Sequence, residues 1–105
     1  MGTLDDYQEA LRLSEEMLAC ARESRWDDLV AAEQARAGVL DRLRELEGRP
    51  ETDRVLRSHK REALARMLAC DEEVSTLAQD WMRELRAVLD AEQNRDRLQR
   101  AYGQR

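Results

Sequence analysis

Apolar residues return every three or four positions along most of this chain, the spacing of one face of an α-helix. Leu4, Tyr7, Leu11, Leu18 and Ala21 form the first stripe, broken only by Ser14, and predict a helix over about 4–22. Thr3 is placed to cap it, and Asp5 and Asp6 suit the positive end of a helix. Arg22-Glu23-Ser24-Arg25 interrupts the pattern, and Ser24 is placed to cap a second helix over about 25–47. Its main stripe is Trp26, Leu29, Val30, Ala37, Leu40 and Leu43, widened to one side by Ala32, Ala35, Val39 and Leu46. Gly48-Arg49-Pro50 ends it, with a glycine for the C-terminal turn and a proline that blocks continuation.

Thr52 or Asp53 then caps a third helix, over about 52–90. On it Leu56, Ala63, Met67, Cys70, Val74, Leu77, Trp81 and Val88 keep the three/four rhythm. Past Leu89 the chain turns polar, and Asn94 marks a bend. Leu98, Ala101 and Tyr102 then outline a short C-terminal helix over about 94–103. The pattern predicts an all-α fold in one domain, 1–105: an antiparallel three-helix bundle with a long third helix and a short C-terminal fourth. A third helix of about 38 residues is roughly 55 Å long at 1.5 Å per residue, so it overhangs its partners. Met-Leu-Ala-Cys occurs twice, at 17–20 and 67–70, and by itself implies no repeat architecture.

Composition supports the helical reading. The 105 residues include 15 Leu and 14 Ala but no Phe and no Ile, and the single Pro and four Gly allow few turns. Sandwiches, barrels and doubly wound sheets need more β-branched residues and more turns than this. The net charge of −5 disfavours nucleic acid and anionic membrane surfaces as partners. No apolar run approaches a membrane span, and the acidic start is unlike a signal peptide. With only Cys20 and Cys70, the chain reads as cytoplasmic with reduced thiols.

The apolar residues are spread more widely than a three-helix core requires. Leu77, Ala78, Trp81, Met82, Leu85, Val88 and Leu89 span an arc of about 140° at 100° per residue, against about 100° for a core-facing stripe. The second helix is broad as well. The surplus needs a cover: the C-terminal segment, a second copy of the chain, or a foreign amphipathic helix.

Catalytic and metal chemistry are poorly represented. His59 is the sole histidine and sits at a stripe edge, where packing or partial exposure accounts for it. Cys20 and Cys70 lie on apolar stripes and read as small hydrophobes, so no metal or cofactor is expected. Glu33 and Asp71 are out of place on apolar faces. An inter-helix ion pair or hydrogen bond that sets register explains them, with Arg36, Arg44, Lys60 and Arg66 near in sequence; acid–base catalysis is the alternative. The 17 arginines keep open a small all-α enzyme of the chorismate-mutase type, although most stand three or four residues from an acid, as surface pairs do. A purely structural helical oligomer is a third reading.

The order of features resembles the FliT-type flagellar export chaperones. Trp26-Asp27-Asp28-Leu29-Val30-Ala31-Ala32-Glu33 is similar to the family's Trp-x-x-Leu-x-x-x-Glu entry to helix two, continued through Arg36, Leu40 and Leu43. Met67-Leu68-Ala69-Cys70-Asp71-Glu72-Glu73-Val74, followed by Leu77, resembles its Leu-x-x-Asp-x-x-Ile-x-x-Leu signature, with Val in place of Ile. Ala101-Tyr102 resembles the family's C-terminal Ala-Tyr. The resemblance implies a cytoplasmic, non-enzymatic chaperone that holds the C-terminal helical region of the filament cap protein, FliD. It also implies contacts with the export ATPase complex and, in some bacteria, the flagellar master transcription activator. On this resemblance Trp26, Leu29, Leu40 and Leu43 line the helix-two side of a partner groove, and Val74, Leu77, Trp81 and Leu85 the helix-three side. Leu98 and Tyr102 belong to an autoinhibitory tail, and Glu33 and Asp71 match polar family positions taken to set register.

Overall fold

The computed structural model describes residues 3–46 and 51–103 and shows three α-helices: α1 (Thr3–Arg22), α2 (Trp26–Glu45) and α3 (Arg54–Gly103). Among the described residues there is no strand, so the fold is all-α. The chain divides into two compact units, Met1–Ser75 and Thr76–Arg105.

In the first unit α1 is the most enclosed helix. Ala10, Leu11, Leu13, Ser14, Met17, Cys20 and Ala21 are buried, and at 100° per residue they cover an arc of about 180°. An arc that wide faces two neighbours. From α2 come Leu29, Ala32 and Val39, and from α3 Ala63 and Met67. Tyr7 and Leu40 pack against this core from its edge.

Cross-helix bonds fix the directions. Glu15 pairs with Arg66, and Arg22 with Glu73. Both pairs are 51 residues apart, and a constant offset requires α1 and α3 to run parallel. Asp6 meets Arg42 while Ser14 meets Arg36, so numbering rises on α1 as it falls on α2, and that pair is antiparallel. The repeated Met-Leu-Ala-Cys therefore brings two copies of one short apolar segment to nearly the same level of two parallel helices. Both Met17 and Met67 are buried.

The buried face of α2 differs from the sequence expectation. Its centre is Leu29, Ala32, Arg36 and Val39, whereas Val30, Glu33 and Ala37 are exposed. The true stripe, 29-32-36-39-43-46, has perfect three/four spacing but carries a cation in its middle. Counting only apolar residues shifts the face toward Ala37.

Two caps also differ. Ser24 belongs to the end of α1 and does not cap α2. Its φ is 57°, and the Ser24 and Arg25 amides donate to the carbonyls of Ala21 (3.2 Å) and Cys20 (2.8 Å). This is the paired-bond left-handed turn that closes helix C-termini. Arg25 holds the N-cap position of α2 without a side-chain cap bond, and Asp27 and Asp28 compensate in the first turn. The Arg25 guanidinium reaches both Glu23 and Asp28, bracing the turn. Thr3 is the first residue of α1 rather than its cap.

At the start of α3, Asp53 is the cap, its Oδ1 accepting the amides of Val55 (2.9 Å) and Leu56 (3.2 Å). The expected stop at Gly48-Arg49-Pro50 lies outside the described residues.

The second unit is one stretch of α3. No separate fourth helix forms, because α3 continues through Asn94 to Gly103. Asn costs a helix interior only about 0.7 kcal/mol or less relative to Ala. Around it Glu92 and Arg95, and Asp96 and Arg100, stand at favourable three- and four-residue spacings. A polar face does not end a helix when no Gly or Pro interrupts the backbone.

Ser24 has a Cβ in a backbone region that penalises one. Ser24→Gly is expected to raise stability by about 0.5–1 kcal/mol, measured as a higher urea midpoint at unchanged m-value.

Candidate partner-binding surface

Three features of the first unit organise its polar chemistry. The first is a cluster with one member from each helix. Ser14, fully buried, donates from Oγ to the carbonyl of Ala10 at 3.0 Å. It accepts from Arg36 Nη1 at 2.9 Å, and the same nitrogen donates to Asp71 Oδ1. The serine that interrupts the α1 stripe, the arginine inside the α2 stripe and the aspartate inside the α3 arc thus meet one another. Arg36 is the more enclosed partner, its side chain 15% exposed against 43% for Asp71. Glu33 takes no part and is exposed.

The second feature braces the start of α3. Lys60 occupies a core-edge position between Leu56 and Ala63. Its ammonium lies 2.7 Å from Glu51 Oε2 and 5.7 Å from the Tyr7 ring centroid. Glu51 Oε1 also accepts the Asp53 amide at 3.1 Å. The Lys60 hydrogen bond, then the Asp53 amide, hold the Glu51 carboxyl below its ordinary range.

The third is an open cleft of about 660 Å³ formed by the first turns of α1, the last turns of α2 and the beginning of α3. Tyr7, Leu40, Leu43, Leu46 and Leu64 supply its apolar surface; Arg44, Arg57, Lys60 and Arg61 bring cations to it, and Glu51 is the one carboxylate among its described lining residues. Among the described residues Arg57 and Arg61 have no ion pair. Leu64 and the adjoining Leu68 are exposed although both are large and apolar.

Of the sequence-derived partner positions, Leu29 is buried in the core, Trp26, Leu40, Leu43 and Val74 are half-buried, and Leu40 and Leu43 line the cleft. In the second unit Leu77 is half-buried and Trp81 and Leu85 are exposed, beside exposed Met82, Val88 and Leu89. Leu98 and Tyr102 are exposed as well. Missed from sequence were Leu64 and Leu68, an i, i+4 pair beside the main stripe, and the cations around the cleft. The spacing of Arg57, Arg61 and Leu64 on one helix flank was the available signal.

His59 is exposed. The Cys70 thiol is pushed up, first by burial and then by Glu15, Asp71 and Glu73, which disfavours its thiolate. Among the described residues no three His, Cys, Asp or Glu side chains gather to hold a metal ion, and no helix is long and apolar enough to cross a membrane.

These features define an all-helical protein whose chemistry lies in apolar faces and charged flanks. The family described as flagellar protein FliT matches residues 4–104. A flagellar protein FliT from Cronobacter sakazakii (strain ATCC BAA-894) is 27% identical over 103 residues, covering 98% of this chain and 85% of that protein. No solved structure matches. The chain belongs to the FliT family of flagellar proteins.

Removing either half of the Arg36–Asp71 pair has unequal effects. Asp71→Ala strands an enclosed guanidinium and is expected to cost about 2 kcal/mol, whereas Arg36→Met leaves a half-exposed carboxylate that water can reach and should cost less than about 1 kcal/mol. Urea unfolding of the two variants at pH 7 measures the difference. Glu51 generates a pH dependence. Its lowered folded-state value gives stability that is present above the unfolded carboxylate value near 4.5 and lost as pH falls through the folded value. Glu51→Gln should therefore flatten the acid limb of a thermal-stability profile below about pH 4.5.

Proposed function

We propose that this protein is a cytoplasmic export chaperone that holds the C-terminal helical region of the flagellar filament cap protein, FliD, against apolar side chains of α2 and α3. One observation carries the reading: a member of the FliT family presents Trp81, Met82, Leu85, Val88 and Leu89 at exposed positions of a single helix. The spacing i, i+1, i+4, i+7, i+8 is that of an amphipathic face, and a foreign amphipathic helix is its natural complement. Trp26, Leu29, Leu40 and Leu43 on α2, with Val74, Leu77, Trp81 and Leu85 on α3, are the residues assigned to the client. Leu29 acts from within, by supporting its neighbours. The export ATPase complex and the flagellar transcription activator are the further partners this role implies.

The C-terminal segment is assigned as the cover. Leu98 and Tyr102 are exposed on a helix that passes through Asn94 without interruption. Covering therefore belongs to a second conformation, in which α3 opens within the polar stretch 90–97. A segment of about a dozen residues is marginal as an isolated helix, so the cost of such a change is modest. The reading is supported further by the arginines. Among the described residues the one that turns inward, Arg36, is already held by Ser14 and Asp71, which leaves no inward set of described arginines to bind a dicarboxylate substrate as an enzyme of the mutase type requires.

Calorimetry with the cap-protein C-terminal segment tests the proposal. Leu77→Glu with Leu85→Glu should abolish binding while circular dichroism stays helical, and a chain ending at Asn94 should bind several-fold more tightly than the full chain. Retained binding by the double variant moves the client elsewhere; unchanged affinity of the shortened chain removes the cover.

A further inference from the structure

Among the described residues, the charged lining of the first unit's cleft has a sign opposite to that of the protein. The chain as a whole carries −5, yet the described charged residues lining this cleft are Arg44, Arg57, Lys60 and Arg61 against Glu51. Two of these cations are already occupied: Lys60 by Glu51 at 2.7 Å and Arg44 by Asp41 at 3.6 Å. Arg57 and Arg61 have no ion pair among the described residues and stand one helical turn apart on one flank of α3. Between the cations lies apolar surface from Tyr7, Leu40 and Leu43. At about 660 Å³ and open to solvent, the cleft suits the side chains along one face of a helix rather than an enclosed small molecule.

We infer that this cleft is a docking site for an acidic amphipathic helix of a partner protein, with apolar side chains against Leu40 and Leu43 and Asp or Glu residues paired with Arg57 and Arg61. This deepens the chaperone reading and rests on its assignment of Leu40 and Leu43 to a partner. Sign selects the occupant. The chain's own C-terminal segment carries Arg95, Arg97 and Arg100 against Asp96, the wrong charge for this place. An acidic segment meets two arginines that hold no ion pair among the described residues, Arg57 acting on Glu51 only at longer range, which gives both steering and register.

Two fluorescein-labelled 18-residue helical peptides with an identical Leu face, one flanked by Glu and one by Lys, serve as probes for the full chain in anisotropy titrations. The Glu peptide is expected to bind at least about tenfold more tightly than the Lys peptide, with the preference shrinking as salt rises from 50 to 300 mM. The paired substitutions Arg57→Glu and Arg61→Glu, at exposed positions, should invert the preference. Loss of fold weakens both peptides and cannot produce an inversion. Equal binding of the two peptides, or an unchanged ratio in the charge-swapped variant, overturns the inference. So does a variant whose only change is in sedimentation, which would mark the cleft as a contact between copies of this chain. The outcome is separable from that of the chaperone reading: binding of the cap-protein segment through Leu77 and Leu85 with a peptide ratio of unity sinks this inference alone, and failure of that segment to bind while the ratio stands sinks the chaperone reading alone.

Discussion

One guanidinium ties three helices together. Arg36 occupies a position that the spacing of α2 assigns to the core, and its Nη1 reaches Ser14 of α1 and Asp71 of α3. Apolar packing between Ala- and Leu-rich helices tolerates sliding, since one small apolar layer resembles the next. A cation largely removed from water does not tolerate it, because losing its partners leaves an uncompensated charge. The cluster therefore sets the relative height and rotation of α1, α2 and the first part of α3. The cleft farther along α2 and the brace of Lys60 by Glu51 and Tyr7 follow from that placement.

The legible parts of the fold are those where apolar spacing and burial coincide. Ala63 and Met67 are buried and Leu56, Cys70 and Val74 half-buried, as the stripe of α3 implies. The face of α2 departs from its apolar spacing for a physical reason. Arg36 is polar and lies inside, whereas Val30 and Ala37 are apolar and lie outside. A hydrophobicity pattern has no means of seeing a charge whose partners arrive from other helices. Ser14 and Asp71 were visible as anomalies, yet their meeting point depends on the parallel course of α1 and α3. Similarly, Ser24 has the side chain of a helix start but adopts the left-handed conformation of a helix end. Hydrogen-bond geometry, not residue type, decides between the two.

The continuation of α3 through residues 90–97 shows the converse error. A change from apolar to polar composition suggests the end of an element, although here it marks only the end of an apolar stripe. Backbone continuity is governed by Gly, Pro and capping, and none of these intervenes before Gly103. The polar stretch is better understood as helix without tertiary support, formed on its own propensity and on charge spacing.

In the second unit charge borders the exposed apolar surface. Exposed Trp81, Met82, Leu85, Val88 and Leu89 alternate in sequence with Asp80, Arg83, Glu84, Arg86 and Asp90. Charges of both signs on the remaining positions narrow the apolar band to one face, and Asp80 and Arg83 pair at 2.6 Å across a turn beside it. For the client proposed above, a band bordered in this way would favour a helical partner, since a rod lying along it covers the whole length while leaving the flanking charges hydrated. A flat surface of another protein would desolvate those charges on both sides. Within the first unit cations likewise stand around Leu40 and Leu43, and for the acidic helix proposed above they would select the charge of the occupant.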